Sequence, residues 1–488
     1  MHRNIQHIRK NPAITLLVTQ LFSCISYAVL YSTLVLYMTQ KLEFSSSSAN
    51  SIMGLFVAFN FGLHLLGGYI GGRLLSYRAL YLLGMLLQIF ACLFIALQTV
   101  ESLRLGLALF LTGAGLNVPC INMMLTQQFK PHDPQRETAF LWNYAGMNIG
   151  YFLGFSIAGY FQLNLNFYTL FIAAAITAFI SSLMIIAGWH TVKDTSTPLE
   201  KLKVLHHSKK TLRFIGACSV VAGVFVGVFF LLQYAKTTRI FMISIGIFMF
   251  LFFIYLGLRQ KEVINRNRIF AYVILSLGGM VFWSLYQLAP MGLVLFALNN
   301  VDRHIFGITI TPQWIQNINT TVIVIGGFLM PPLFKKIRQY IAFGFPLQFA
   351  LSLLLIAIGF FSLVIGIHYA APDGLSSFSW ITISYVFQSV GELLIGPIGY
   401  GMIGLLATEN LQGLMMGSWM LIVGGSSGVV ASYLSNYAIQ STTSNNPLLT
   451  NPGYAHLFLM IAIAATVAAI VLFSLIPHLE RLIQARWK

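Results

Sequence analysis

The sequence predicts an all-α polytopic membrane protein of fourteen transmembrane helices, arranged as six, two and six. Three observations carry that expectation. Hydrophobic residues make up 57% of the 488 positions and charged residues only 8%, a balance that belongs to chains solvated largely by lipid. Apolar runs of about twenty residues, the length that crosses a bilayer, recur along the whole chain. Basic residues gather in alternate connectors, as expected when Lys and Arg set topology.

Taken in order, the spans are expected near 13–38, 50–71, 79–99, 102–126, 139–161, 166–189, 212–234, 238–258, 269–298, 312–332, 341–366, 376–407, 411–438 and 454–476. An even number puts both termini on one side. The amino terminus, Arg73 and Arg78, Lys130 to Arg136, Lys193 to Arg213, Arg259 to Arg268, Lys335 to Arg338 and the tail mark that side as cytoplasmic. Of 28 Lys and Arg, only Lys41, Arg104, Lys236, Arg239 and Arg303 fall outside. Both termini are therefore expected to be cytoplasmic.

The formal charge of +16 does not point to nucleic acid, because the basic residues are scattered between apolar runs and not gathered on one face. Cys24, Cys92, Cys120 and Cys218 all lie in apolar runs without metal-ligand spacing or a loop pair to bridge, so neither a disulfide framework nor a metal or cofactor is expected. The basic start runs into a long first helix and does not read as a removable signal peptide.

The longest basic connector, about residues 190–211, closes a first group of six helices, and the last six begin near Ile269. Three parts are expected: 1–190, an amino-terminal six-helix bundle; 191–268, the connector and two extra helices; and 269–488, a carboxy-terminal six-helix bundle. This is the shape of a major facilitator transporter with an inserted helix pair, whose substrate binds near the midplane and whose access alternates.

One acidic residue stands apart. Of the twelve Asp and Glu, Glu392 alone sits inside a long apolar run, in Gly391-Glu392-Leu393-Leu394-Ile395-Gly396-Pro397-Ile398-Gly399. An acid at the centre of a spanning helix costs roughly 2.5–3.5 kcal/mol, so such groups face a polar cavity or partner and mark pathways. Elsewhere, Gly67-Gly68-Tyr69-Ile70-Gly71-Gly72-Arg73 closes the second span, where paired glycines allow close helix approach.

Further segments carry a specific resemblance. Asp133-x-x-Arg136-x-x-Ala139-Phe140-Leu141-Trp142-Asn143-Tyr144-x-x-x-Asn148-Ile149-Gly150, Phe282-Trp283-x-x-Tyr286-Gln287, Trp314-Ile315-Gln316-Asn317-Ile318-Asn319, the Glu392 segment and Gly413-Leu414-Met415-Met416-Gly417-Ser418-Trp419 resemble, in order and spacing, the proton-dependent oligopeptide transporter family. The likeness runs over most of the chain, and bacterial members of that family carry fourteen helices with the extra pair between the halves. It implies a secondary active, proton-coupled transporter of peptides. Glu392 would receive the substrate's amino terminus, and Asn148 and Asn319 would contact the peptide backbone, where a carboxamide offers both donor and acceptor. Tyr27, Tyr31, Trp283, Tyr286, Gln287 and Trp419 would line the site; an aromatic face can hold a cation at about 0.5–2 kcal/mol.

The departures matter as much. The family's first-helix motif Glu-x-x-Glu-Arg-Phe-x-x-Tyr-Gly falls on Gln20-x-x-Ser23-Cys24-Ile25-Ser26-Tyr27-Ala28-Val29, so each of its charges is gone. Its further basic residue falls at Tyr31, the second-helix tyrosine at Phe61, the fourth-helix lysine at Val118, and the acid of the cytoplasmic Gly-Gly-x-x-x-Asp-Arg motif at Gly72. A free carboxylate entering a low-dielectric site needs a cation, and none remains at those positions. The alternative reading is therefore an amine-bearing cargo without an exposed carboxylate, such as a capped peptide, a polyamine-like cation or a siderophore. Proton coupling would pass through Glu392 or His64, which stands where the family has a proline and titrates near neutrality when unperturbed. No convergent catalytic group is visible, so an enzyme is not expected. A transporter-like sensor is the remaining rival. The expected partners are the small-molecule substrate, protons and the bilayer, and the expected state is a monomer.

Overall fold

In the computed structural model, residues 11–129, 134–195, 197–201, 207–340, 343–407, 411–439 and 445–483 are described. Among these, thirteen helices are long and apolar enough to cross a membrane. The fourteenth expected span, 139–161, lies in a 30-residue helix, Pro134–Leu163, that is not among the thirteen. It carries Asn143, Asn148 and Gln162, all buried. The side chains of Asp133 and Arg136 lie outside the described residues.

Two compact units divide the chain. The first holds residues 1–43 and 59–235, and the second 44–58 and 236–488. The boundary runs through the inserted pair, giving one helix to each unit.

In the first unit, α1 (Pro12–Gln40) begins at Asn11, whose side chain accepts from the Ala13 and Ile14 N–H groups, with Pro12 at the first helical position. Both features belong to helix starts. The second span is two helices separated at Leu63: α2 (Ser46–Gly62), of which only 59–62 belong to this unit, and α3 (His64–Ile70). Then come α4 (Tyr77–Ala96), α5 (Val100–Thr126, opened by a Thr99/Ser102 capping box), α6 (Pro134–Leu163) and α7 (Phe167–Ala187). A short α8 (Pro198–Lys201) precedes α9 (His207–Gln233). The core joins Leu16, Tyr81, Met85, Cys120 and Ile185, with Ala217 and Val221 of α9 packed into it.

Packing here depends on small residues. A Cβ on Gly67 would strike the Gly115 carbonyl of α5, and one on Gly115 would strike Leu63. In a bilayer, where apolar burial does not drive helices together, such close backbone approach does. Gly72 has φ +72, a left-handed turn that glycine adopts without strain. Arg73 stacks 4.8 Å from the Tyr69 ring.

The second unit contains α10 (Ala235–Arg259), α11 (Val263–Tyr286), α12 (Gly292–Asn299), α13 (Pro312–Ile337), α14 (Phe345–His368), α15 (Phe378–Leu406), α16 (Gln412–Trp419), a π-helical turn Met420–Ser426, α17 (Ser427–Ile439) and α18 (Pro447–Ile483). The single ninth span expected over 269–298 is broken between Tyr286 and Gly292, at Pro290, which cannot continue the backbone ladder. Small strand pairs tie the connectors: β1 (Val301–Asp302) runs parallel to β4 (Ser376–Ser377), and β2 (His304–Ile305) antiparallel to β3 (Ile308–Thr309). Residues 44–58 pack with this unit through the buried Asn50, whose Nδ2 donates to Asn436 Oδ1 at 3.2 Å; Asn436 Nδ2 donates to Ser51 Oγ at 3.1 Å. The core is built around Tyr272, Phe282, Phe296, Phe349, Phe360 and Trp419.

Candidate functional site

Glu392 lies midway along α15. Its Oε2 accepts from Asn319 Nδ2 of α13 at 2.7 Å, and the same amide nitrogen lies 3.0 Å from Ser389 Oγ. Tyr286, the last residue of α11, makes a further side-chain hydrogen bond to Glu392. Ser389 is one turn before Glu392 and shares its face; its hydroxyl donates to the Tyr385 carbonyl at 2.6 Å. Three helices thus converge on one carboxylate.

Each position has a local cause. Pro312 at the first position of α13 fixes where that helix starts, which sets Asn319 two turns inside. The break after Tyr286 ends α11 at the level of Glu392, so the tyrosine closes the site from a helix terminus. Gly391 sits against the Phe282 ring and the Ser352 carbonyl, where a Cβ would lie at 3.0 and 3.2 Å; this close seating turns the neighbouring Glu392 toward α13. Trp283 and Tyr286 meet edge to face at 5.2 Å, and Trp283 lies over Gly396, one turn beyond Glu392.

The half-buried Glu392 carboxyl is held by neutral partners, a carboxamide and a phenol.

The other expected positions divide. Tyr27 and Tyr31 of α1 stack at 5.7 Å, with Tyr151 edge-on to Tyr27 at 6.0 Å and Phe110 at 6.2 Å. In this aromatic group Gln20 Nε2 donates to Cys24 Sγ at 3.5 Å one turn earlier. Asn148, one turn from Tyr151 on α6, is buried, and its Nδ2 donates to the Tyr144 carbonyl at 2.9 Å. Gln287 is buried at the end of α11, its N–H bonded to the Trp283 carbonyl at 2.9 Å. Trp419 does not form an open wall: it is 4% exposed, and Cβ atoms on Gly279 or Gly399 would run into its ring. Its ring packs against these facing glycines within the core. His64 opens α3, with both ring nitrogens buried and without a hydrogen-bond partner, edge-on to Phe61 at 6.0 Å.

Two features escaped the sequence reading. Ser389 is the third polar member at Glu392, and its only signal is its place three residues earlier on the same helix. Asp194 in the connector after α7 is the other: its Oδ2 accepts from the Tyr77 N–H at 2.9 Å, at the first turn of α4 just beyond Gly72. The acid missing at Gly72 is thus matched by a carboxylate arriving from another part of the chain. The connector is fastened further by Leu199 N–H to the Gly72 carbonyl at 2.9 Å and Thr195 N–H to Gln127 Oε1 at 3.0 Å. Arg78 donates to the Trp189 carbonyl and stacks 4.5 Å from its ring.

The chain is 29% identical over 465 residues to dipeptide and tripeptide permease B of Xenorhabdus bovienii, covering 93% of this chain and 92% of the relative. It is 24% identical over 470 residues to dipeptide and tripeptide permease A of Escherichia coli, covering 95% and 92%. Among solved structures, a peptide transporter POT in complex with sulfate matches with TM-score 0.83 at 23% identity, over 98% of this chain and 96% of the other. A POT family transporter in complex with 5-aminolevulinic acid matches with TM-score 0.80 at 21% identity, over 96% of each. The fold is therefore the major facilitator fold, of a multi-pass membrane protein. With the family match running over residues 74–450, from the end of the glycine-rich segment through the Glu392 helix and beyond, the chain belongs to the POT family.

Proposed function

We propose that this protein is a bacterial secondary active transporter that carries dipeptides, tripeptides or peptide-like amines across the cytoplasmic membrane by alternating access, coupled to protons, with both termini cytoplasmic. The observation that carries the reading is the Glu392 carboxyl, half-buried at mid-helix and held by Asn319 and Tyr286. In this reading Glu392 receives the substrate ammonium. Asn319 and Asn148 meet the peptide groups, Trp283, Tyr286 and Gln287 shape the surroundings of Glu392, and Tyr27 and Tyr31 offer an aromatic surface in the first unit. The six, two and six organisation with boundaries near 190 and 268 belongs to the same reading, as does action as a monomer.

A second reading concerns the cargo's other end. Gln20, Ser23, Cys24, Tyr31 and Val118 bring no positive charge to the first unit, and Gln20 and Cys24 are bonded to each other. A cargo with an amine but a masked or absent carboxylate suits such a surface, because an unpaired carboxylate in low dielectric is costly.

The test is uptake into sealed liposomes bearing the purified protein, comparing a free dipeptide, its carboxy-terminal amide and an amino-acetylated form. Loss of transport on amino-acetylation and in Glu392→Gln supports the amine role. Accumulation of the acetylated form at the rate of the free peptide overturns it. Transport of the amide well above the free dipeptide favours the second reading, and binding without accumulation would make the protein a sensor.

A further inference from the structure

We propose that the corner between the inserted helix α10 and helix α11 holds the headgroup of an anionic phospholipid of the cytoplasmic leaflet, through Arg259, Lys261 and Arg266. Nothing in the transport reading uses these residues. The stretch 259–268 carries four basic side chains, Arg259, Lys261, Arg266 and Arg268, against one acid, Glu262. That acid is engaged elsewhere: its Oε2 accepts from Asn265 Nδ2 at 2.7 Å, and among the described residues no ion pair joins it to any of the four. Arg259, Lys261 and Arg266 are exposed, so their charged ends can reach a ligand.

The fold gathers these cations at one level of the membrane. α10 ends at Arg259 and α11 starts at Val263, and both helices are long and apolar enough to span. Three connecting residues keep the turn where the two spans end. The helices also touch beside it: a Cβ on Gly257, in the last turn of α10, would lie 3.2 Å from the ring of Phe270, two turns into α11.

The residues preceding the corner set the direction in which it faces. Phe248, Leu251, Tyr255 and Leu258 recur at helical spacing along α10 and are each more than half exposed, an uncovered apolar stripe of the kind that meets lipid in a membrane span. Arg259, three turns beyond Phe248, stands at the end of that stripe, and its guanidinium carbon lies 5.4 Å from the ring centre of Tyr255 one turn earlier. An exposed tyrosine at a span end marks headgroup level. A guanidinium resting on a ring keeps its planar donor fork for two oxygens of a phosphate. No side chain caps the start of α11, so the partial positive charge of its first N–H groups adds to the attraction. On the proposed topology this corner is cytoplasmic, and clusters of Lys and Arg immediately cytoplasmic of a spanning helix suit anionic lipid.

The full chain, purified in detergent and stripped of lipid, is titrated with phosphatidylglycerol, with phosphatidylcholine and with inorganic phosphate, reading bound lipid by native mass spectrometry and melting temperature in parallel. Phosphatidylglycerol is expected to bind and stabilise where phosphatidylcholine does not. Arg259→Gln and Arg266→Gln are each expected to weaken it about fivefold, the share of one basic residue at a charged bilayer surface. Arg338→Gln, which removes an exposed cation at the end of α13 on the same side, is expected to leave binding unchanged. Equal losses in all three variants would mean diffuse surface charge and overturn the site, as would undiminished affinity in Arg259→Gln and Arg266→Gln or equal binding of phosphatidylcholine. Equal stabilisation by inorganic phosphate would overturn the lipid assignment. If either arginine variant does not fold, Lys261→Gln in the connecting turn carries the test, and undiminished lipid affinity there overturns the proposal.

Discussion

Asn319 on α13 donates to Glu392 on α15 at 2.7 Å while its same nitrogen lies 3.0 Å from Ser389. One carboxamide therefore fixes the direction of a carboxyl in the middle of a spanning helix. A hydrogen bond to a charged group contributes about 1.5–3 kcal/mol, so Asn319→Ala is expected to lower uptake efficiency roughly tenfold to a hundredfold. The check is initial-rate uptake in liposomes, alongside a melting curve showing the variant folded. Wild-type rates in Asn319→Ala would remove it from the site.

Neighbouring glycines give a sharp packing test. At Gly67 an added Cβ meets the backbone carbonyl of Gly115, whereas at Gly68 nothing lies within 4 Å. Backbone cannot step aside as a side chain can, and overpacking costs about 1–3 kcal/mol. Gly67→Ala should lower the melting temperature, and Gly68→Ala should leave it unchanged or raise it slightly, since Ala favours helix over Gly by about 1 kcal/mol. Equal effects would contradict the close α3–α5 contact.

Asp194 supplies a pH dependence with a definite sign. Burial pushes its carboxyl up from the ordinary 3.8, against the opposing pull of the Tyr77 N–H and the Arg78 charge. A carboxyl raised on folding favours the folded state at low pH, and that contribution is lost as pH rises through the folded value. Wild-type melting temperature is therefore expected to fall relative to Asp194→Asn as pH climbs from about 4 toward neutrality. Asn keeps an acceptor for Tyr77, so the two should converge at the acid end. Asp194→Ala loses the acceptor and is equally unable to titrate, so it should lie about 1 kcal/mol below Asp194→Asn, as loss of a helix cap does, at every pH. Parallel curves for wild type and Asp194→Asn would refute the sign.

His64 tests the proton path. Both its ring nitrogens are buried without partners, at the break between α2 and α3, so no structural hydrogen bond explains the histidine. His64→Gln keeps size and polarity but cannot titrate, and the pH profile of uptake should flatten while uptake at the optimum persists. An unchanged profile would leave His64 out of coupling.

Much of this was legible in one dimension because the bilayer imposes long, simple rules. Span length gave most helices within a few residues, and the solitary acid in an apolar run pointed to Glu392 before any partner was known. The misreadings have local causes. Pro290 breaks a run that hydropathy treats as continuous. Asp194 looked like an ordinary loop charge because its partner, Tyr77, is more than a hundred positions away.

The sequence by itself determined the class of molecule, the order of its spans, and which acid lies inside one of them, since each follows from local composition and its cost in lipid. Tertiary structure alone decided that Asn319, Tyr286 and Ser389 surround Glu392, and that Asp194 stands at the first turn of α4 where Gly72 offers no acid. Those pairings join helices distant in the chain, and only close backbone approach and side-chain geometry select them from the many that hydropathy permits.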